Sequence, residues 1–149
     1  MKYKNLTKRE KGIEEFTLKS MLGLEELLKD LKSHKIKIAL ATSAPPANVK
    51  FTLGRTGLKK YFKVIIDAAG VKLGKPNPDI FLKAAKRLKV SAKNCIVFED
   101  TFMGIDAAKR AKMKVVGVAT SHKSGELKHT DLIIKDFSKV TLENLAKLF

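Results

Sequence analysis

Short runs of consecutive apolar residues alternate along the chain with longer segments whose apolar residues recur at helical spacing. The short runs are typical of buried strands, and the longer segments are typical of helices that cover a sheet. Because strands that alternate with helices favour parallel pairing, we predict one α/β domain with a mainly parallel sheet. The predicted strands lie at residues 36–41, 64–66, 95–98, 115–118 and 132–134.

Glycine and proline mark the ends of the predicted helices. The clearest helical face lies after Asn77-Pro78, and its apolar residues are Ile80, Phe81, Ala84, Ala85 and Leu88. The other predicted helices lie on either side of Gly23, from Pro45-Pro46 to Gly57, at about 104–112 and at 141–148.

The length and composition fit a single globular domain of 149 residues and 16.5 kDa, with 44% hydrophobic and 31% charged residues. We find neither a run of about 20 apolar residues nor a secretory signal, and therefore predict a soluble, cytoplasmic protein without a membrane partner. Cys95 is the only cysteine, which excludes a disulfide framework and a cysteine zinc site. Its apolar surroundings in the sequence predict a buried, unreactive thiol.

The chain is strongly basic, with 31 Lys and Arg residues against 15 Asp and Glu residues and a formal net charge of +16. Such a charge attracts anions in general. Only four of the basic residues are arginines, and no aromatic and basic cluster resembles a platform for stacked bases. We therefore expect no specific nucleic-acid partner, although a basic nucleic-acid binder stays a third hypothesis.

Polar residues follow three of the predicted strands, at the edge where open parallel sheets bind ligands. Thr42, Ser43 and Ala44 offer a hydroxyl and backbone N–H groups near a helix start, which suits a phosphate oxygen, although such residues also cap helices. Lys75, between Gly74 and Pro76, is a fixed positive charge that would neutralise phosphate, unless it is one more surface lysine.

The third position holds two adjacent carboxylates, Glu99 and Asp100. Hard oxygen ligands of this kind hold Mg²⁺, which keeps several of its waters. The alternative is that Asp100 or Thr101 starts the following helix as its N-cap. Spacing alone does not separate these two interpretations.

Together, the three segments resemble motifs of the haloacid dehalogenase superfamily, in its β-phosphoglucomutase-like phosphatases and phosphohexomutases. The sequence KIALATS at 37–43 resembles the second motif, GKPNPDIF at 74–81 the third, and FEDTFMGIDAA at 98–108 the fourth. The resemblance extends from about Gly23 to Phe149. It implies a three-layer Rossmann-like core and Mg²⁺-dependent phosphoryl transfer on small phosphate esters.

The resemblance also implies roles for individual residues. Thr42, with the adjacent backbone amides of Ser43 and Ala44, would bind the transferring phosphoryl group. Lys75 would neutralise that group and the nucleophile, and Glu99 and Asp100 would help to hold Mg²⁺.

The first motif of the family, Asp-x-Asp-Gly at the end of an N-terminal strand, is absent from this sequence. No two of the aspartates, at 30, 67, 79, 100, 106, 131 and 136, stand two residues apart. The segment from Gly23 to Leu28 resembles the family segment that leads out of the cap domain. We therefore interpret residues 1–22 as a remnant of a cap or linker helix, and residues 23–149 as an incomplete core domain that lacks the nucleophile strand.

In the family, the nucleophile strand lies between the strands that here end at Ala41 and Phe98. Its loss would leave two edges unpaired, and unpaired edges recruit other strands. We predict a truncated or split enzyme that is inactive or nearly so alone, and that is completed by an N-terminal fragment or a homo-oligomer. If the flanking strands instead pair directly, the product is an empty monomer, and a non-catalytic phosphate-binding or regulatory module stays the alternative function.

Overall fold

The structure of the protein is a computed structural model that describes residues 22–127 and 129–149. The predicted helix before Gly23 and all but the last residue of the predicted remnant at 1–22 lie outside the described residues. The described part contains five α-helices and five strands, which alternate except that only a short 3-10 helix separates β4 from β5. In chain order they are α1 Leu24–Ser33, β1 Ala39–Ala41, α2 Pro46–Thr56, β2 Val64–Ile66, α3 Asp79–Leu88, β3 Ile96–Glu99, α4 Phe102–Arg110, β4 Lys114–Val118, β5 Leu132–Ile134 and α5 Leu142–Ala146.

All strand pairs are parallel, which confirms the predicted α/β class, but the described strands form two sheets and not one. Strand β1 pairs with β2, and β4 lies between β3 and β5. No pairing joins β1 to β3 within the described residues. The two edges expected from the sequence therefore have no partner strand among residues 22–127 and 129–149, and β1 and β3 do not pair directly with each other.

Helices on opposite faces hold the two sheets side by side. Alternate residues of a strand point to opposite faces, and Val97 of β3 packs with α3 whereas its neighbours Ile96 and Phe98 pack with α1. Helix α3 contacts both β1 and β2 and shares a buried cluster with β3, α4 and β4. Helix α1 places Leu28 against the first sheet and Leu27 against the second. The result is the predicted three-layer arrangement, with a divided middle layer.

Several element boundaries differ from the prediction for local reasons. The first strand begins at Ala39 and not at residue 36, because the Ile36 N–H donates to the Leu31 carbonyl (2.9 Å) and continues the turn after α1. Helix α2 ends before Gly57, as predicted, and the positive φ of Gly57 (66°) explains the glycine there. All five residues of the predicted α3 face are buried.

Cys95 is half-buried, so the predicted burial of its thiol is only partial. It stands just before β3, and its Sγ donates to the Ser91 carbonyl at 3.4 Å. Burial nevertheless raises the pKa of the Cys95 thiol, which suppresses the reactive thiolate.

Ile80 of α3 is fully buried in the cluster that joins the two sheets, so its truncation is expected to destabilise the whole domain. Ile80→Ala should lower the free energy of unfolding by about 2–5 kcal/mol, as measured by urea denaturation. Leu82→Ala on the same helix is the control, because Leu82 is 40% exposed. An equal loss in the two variants would contradict the role of α3 as the bridge.

Candidate active site

Lys75 and Glu99 form a buried ion pair at the carboxyl end of β3. The Lys75 Nζ contacts Glu99 Oε1, and the two side chains are only 11% and 9% exposed. The Lys75 ammonium also lies 5.0 Å from the centre of the Phe81 ring at the start of α3. The interpretation of Lys75 as an ordinary surface lysine is therefore wrong, because its charge is fixed inside the site.

The second oxygen of Glu99 faces the start of α4. Glu99 Oε2 accepts hydrogen bonds from the Asp100 N–H (3.0 Å), the Thr101 N–H (3.2 Å) and the Thr101 hydroxyl (3.0 Å). These donors and Lys75 surround the carboxylate, and the negative charge lies at the positive end of a helix. Glu99 thus has a well-defined partner set and anchors Lys75 in place.

Gly104 leaves the space that the Glu99 carboxylate occupies. A Cβ at position 104 would lie 2.0 Å from Glu99 Cδ and within 2.3 Å of both carboxylate oxygens. Gly104 also donates its N–H to the Thr101 hydroxyl (3.1 Å), which makes Thr101 the N-cap of α4. Of the two capping alternatives, Thr101 is the residue used, and the helix begins at Phe102 and not at Gly104.

Asp100 points towards the loop that follows β4. Its Oδ2 accepts from the Thr120 hydroxyl (3.3 Å) and from the Ser121 hydroxyl. Its Oδ1 accepts no hydrogen bond from the described residues and has lone pairs for a ligand. Sequence reasoning missed Thr120 and Ser121, and the signal available was their position directly beyond the strand 114–118.

Thr42 follows β1, where its N–H continues the ladder to the Ile66 carbonyl (2.9 Å). Its hydroxyl accepts from the Ala44 N–H (3.1 Å), so it orders the turn instead of capping α2, whose N-cap is Pro45. Ser43 is exposed, and the Ala44 carbonyl accepts from Ala68 N–H (3.1 Å) in the loop after β2. The predicted phosphate-binding segment is therefore a fixed turn at the carboxyl end of β1.

The predicted site residues belong to two groups. One consists of Lys75, Glu99 and Asp100 around the end of β3, and the other is the Thr42 turn at the end of β1. The two groups lie at the carboxyl ends of β1 and β3, which do not pair with each other. The structure thus assembles each half of the predicted site around its own sheet.

Of the two adjacent carboxylates, Asp100 is the one that fits a Mg²⁺ ligand. Both Glu99 oxygens are engaged, whereas Asp100 retains a free oxygen, and Mg²⁺ commonly takes one or two carboxylates together with waters and substrate phosphate. Within the described residues, no three His, Cys, Asp or Glu side chains form a metal-binding group. That Glu99 and Asp100 help to hold Mg²⁺ therefore stays a prediction, and the geometry favours Asp100 for this role because both Glu99 oxygens are engaged.

The fold and these residues define an α/β domain of the Rossmann-like class. Its candidate phosphate-binding and cation-binding residues lie at the carboxyl ends of the strands. The family model for haloacid dehalogenase-like hydrolases matches residues 4–112. The chain therefore belongs to the haloacid dehalogenase-like hydrolase family.

Curated relatives have phosphatase and mutase activities. A phosphorylated carbohydrates phosphatase of Thermotoga maritima is 42% identical over 110 residues, which are 73% of this chain and 51% of that protein. The β-phosphoglucomutase of Bacillus subtilis is 40% identical over 123 residues, 83% of this chain and 52% of that protein. A bifunctional riboflavin kinase/FMN phosphatase of Arabidopsis thaliana is 38% identical, over 85% of this chain and 34% of that protein. The chain thus spans between a third and about half of the length of these relatives.

Solved structures agree with this assignment. A hydrolase of the same superfamily from Entamoeba histolytica matches with a TM-score of 0.81 and 34% identity, over 93% of this chain and 70% of that chain. A β-phosphoglucomutase from Clostridium difficile matches with a TM-score of 0.76 and 37% identity, over 85% of this chain and 54% of that chain.

Within the described residues, none of the helices has the length and apolar composition needed to cross a membrane.

Substitution of Gly104 is expected to disturb the ion pair through Glu99. Gly104→Ala should lower the free energy of unfolding by more than 1 kcal/mol, because the new methyl group overlaps the buried carboxylate. Gly54→Ala in α2 is the matched control: nothing lies within 4 Å of its added Cβ, so alanine should be neutral or stabilising by up to about 1 kcal/mol. Urea denaturation of both variants measures the difference, and equal stabilities would contradict the close contact.

Breaking the ion pair from one side should cost more than removing both charges. Lys75→Met leaves Glu99 as a buried unpaired carboxylate and should lower the free energy of unfolding by about 3–5 kcal/mol. Adding Glu99→Gln should recover a large part of this loss, whereas Lys72→Met in the exposed part of the same loop should change stability by less than about 0.5 kcal/mol. Additive losses in the double variant would show that the two charges do not interact.

Proposed function

We propose that this chain provides the phosphate-binding and cation-binding part of a Mg²⁺-dependent phosphoryl-transfer site for small phosphate esters. The observation that carries the proposal is the buried Lys75, fixed by Glu99 at the carboxyl end of β3. A surface lysine would be solvated, whereas a buried and oriented ammonium suits an anionic ligand. The phosphatase and mutase activities of the relatives support the same reaction class.

Each residue has a task in this proposal. The Thr42 turn binds phosphate oxygens through the Thr42 hydroxyl and the Ser43 N–H, since the Ala44 N–H is bonded to that hydroxyl. Lys75 stabilises the negative charge of the phosphoryl group. Asp100, oriented by Thr120 and Ser121, would hold Mg²⁺ through its free oxygen. When bound, Mg²⁺ would polarise a phosphoryl oxygen and fix the position of the ester.

The chain alone is proposed to be catalytically silent or nearly so. In the reaction of this family, a carboxylate oxygen bonds to phosphorus as the ester alcohol leaves with a proton, and water then hydrolyses the acyl phosphate. Both oxygens of Glu99 are engaged with Lys75 and the start of α4, and the free oxygen of Asp100 is assigned to the cation in this proposal, so neither is proposed as this nucleophile. The Asp-x-Asp pattern that supplies it is absent from the sequence.

The alternative is a non-catalytic phosphate-binding or regulatory module that uses Lys75 and the +16 charge. In that case phosphate binding would fall with salt but would not require Mg²⁺ or Asp100. In the enzymatic case phosphate and Mg²⁺ bind together, because they share one site. The cytoplasmic location stays a prediction.

Titration of inorganic phosphate in the presence and absence of Mg²⁺, followed by calorimetry, tests the proposal. We expect Mg²⁺ to strengthen phosphate binding, and Asp100→Asn to weaken this Mg²⁺-dependent part by about tenfold or more. Asp106→Asn removes the same charge from an exposed position on α4 and serves as the control, with unchanged binding expected. Phosphate binding that is indifferent to Mg²⁺ and to Asp100→Asn would instead support the regulatory module.

Hydrolysis of p-nitrophenyl phosphate with Mg²⁺ tests the inactivity of the chain alone. The purified protein is expected to match the background of a Glu99→Ala/Asp100→Ala double variant, which controls for contaminating phosphatase. Turnover by the chain but not by the double variant would mean that another carboxylate acts as the nucleophile.

A further inference from the structure

We propose that the edge of the domain opposite the candidate active site binds the phosphate backbone of a nucleic-acid duplex, without regard to base sequence. This surface, which we call the amino edge, consists of the four segments that lead from the last turn of a helix to the amino end of a strand. They are residues 32–38 at β1, 55–63 at β2, 86–95 at β3 and 109–114 at β4. The inference is independent of the proposed function, whose residues lie at the carboxyl ends of the strands.

Positive charge is concentrated at the amino edge. Its four segments contain 15 of the 31 Lys and Arg residues of the chain and no Asp or Glu. Three lysines and three carboxylates, in contrast, occur in the loops that follow the same strands, at 42–45, 67–78, 100–101 and 119–126. The two ends of the strands therefore differ strongly in charge, and the basic excess of the described residues lies on one side of the molecule.

Hydrogen bonds join the four segments into one continuous surface. Three of these bonds cross from one segment to the next. They run from the Lys63 N–H to the Ile38 carbonyl (2.9 Å), from the Lys37 Nζ to the Leu88 carbonyl (2.9 Å) and from the Lys114 N–H to the Cys95 carbonyl (3.0 Å). The order along the edge is therefore β2, β1, β3 and β4. Because neighbouring strands are about 4.8 Å apart, the edge extends over at least about 15 Å.

Three lysines of the amino edge have a left-handed backbone conformation. Lys35, Lys89 and Lys112 have φ values of 58°, 55° and 59°, and each stands in the turn between a helix and the next strand. Among the described residues, they are the only non-glycine residues with positive φ. Glycine is the usual residue in such a turn, because a side chain there is unfavourable. Strain that recurs at three equivalent turns, each time with lysine, indicates a use for the charge.

Most of these charges are available to a ligand. All 15 side chains but that of the half-buried Lys114 are exposed. Carboxylates from outside the edge pair with Lys60 (3.7 Å) and with Lys114 (3.6 Å). Six lysines have no carboxylate partner among the described residues, and they are Lys35, Lys59, Lys63, Lys89, Lys93 and Lys112. The helix dipole explains basic residues within the last turn of a helix, but these six lie beyond the ends of the α-helices.

The residue types of the edge favour phosphates over bases, and a duplex over a single strand. Twelve of the 15 basic residues are lysines, which are point charges suited to phosphate oxygens, whereas base edges are read mainly by bidentate arginine and amide side chains. Tyr61 and Phe62, the only Phe, Tyr or Trp residues of the edge, are not exposed and offer no ring to an unpaired base. A duplex carries about one charge per 1.7 Å of its axis and so presents several phosphates to an edge of this length.

An anionic membrane and an acidic protein fit the amino edge less well. Proteins at a membrane surface gain affinity from apolar side chains that enter the lipid, and Ile36 is the one exposed large hydrophobic residue in the four segments. Protein interfaces are depleted in lysine and enriched in aromatic residues. The composition of the amino edge is the opposite.

Fluorescence anisotropy with labelled duplexes tests the proposal. The probes are DNA and RNA duplexes of about 20 base pairs, which are longer than the edge, each in two unrelated sequences. We expect binding at about 50 mM salt that weakens about a thousandfold at about 200 mM, the loss expected for about six phosphate contacts. Equal affinity for the two sequences supports backbone recognition, and the tighter of the DNA and RNA arms identifies the kind of duplex.

Replacement of the three strained lysines separates their charge from the stability of the fold. Lys35→Gly/Lys89→Gly/Lys112→Gly removes three charges from the edge and also relieves the unfavourable backbone conformation. The urea midpoint should therefore be unchanged or higher. The affinity for the duplex should fall at least about tenfold at about 50 mM salt, and the salt dependence should become less steep.

The control removes the same charge from exposed positions outside the amino edge. Lys50→Gln/Lys72→Gln/Lys139→Gln lowers the net charge by the same amount. Its affinity for the duplex should fall less than about threefold, because these charges contact no phosphate and are screened by salt. An equal loss in the glycine variant and in this control would mean that the net charge attracts the duplex, and would overturn the assignment to the edge.

A second variant of the edge applies if the glycine variant does not fold. Lys59→Gln/Lys63→Gln/Lys93→Gln removes three exposed charges that have no carboxylate partner among the described residues, and the same loss of affinity is expected. Absence of duplex binding by the native chain at about 50 mM salt would overturn the proposal. So would binding that requires one base sequence, or tighter binding to phosphatidylserine vesicles or to poly-glutamate than to either duplex.

Discussion

The buried ion pair between Lys75 and Glu99 is the constraint around which the carboxyl edge of this domain is arranged. A buried charge is costly unless it is paired and hydrogen-bonded, so Lys75 requires Glu99. Glu99 in turn requires the donors at the start of α4 and the absence of a side chain at Gly104. One electrostatic requirement thus links the loop after β2 to the end of β3 and to the first turn of α4.

The same pair explains why two adjacent carboxylates have different roles. Glu99 faces inward, and its two oxygens bond to Lys75 and to the start of α4. Asp100 faces the β4 loop, and one of its oxygens has no partner among the described residues. Backbone direction alternates from one residue to the next, so neighbouring side chains at a strand end point to different partners. A cation ligand and an anchor for a cationic side chain can therefore stand side by side.

The sequence predicts those features that depend on local periodicity and on motif spacing. The five buried residues of α3, the parallel strands and the polar residues at their carboxyl ends all follow from such patterns. Other features depend on which loops the fold brings together, and such patterns do not reveal them. These features are the hydrogen bonds to both oxygens of Glu99, the need for glycine at 104 and the hydroxyl partners of Asp100. The shortened first strand has the same origin, since a backbone bond from Ile36 to Leu31 overrides its apolar pattern.

Helix α1 links the two sheets, which no pairing between described strands connects. Its consecutive leucines, Leu27 and Leu28, belong to the cores of different sheets, and the Leu22 carbonyl just before it accepts from the Phe137 N–H (2.9 Å), far along the chain. Neither sheet can lose its packing on this face without loosening the other. The divided middle layer should consequently melt in a single cooperative transition, with the docking of α1 depending on contacts of high sequence separation and so forming late in folding.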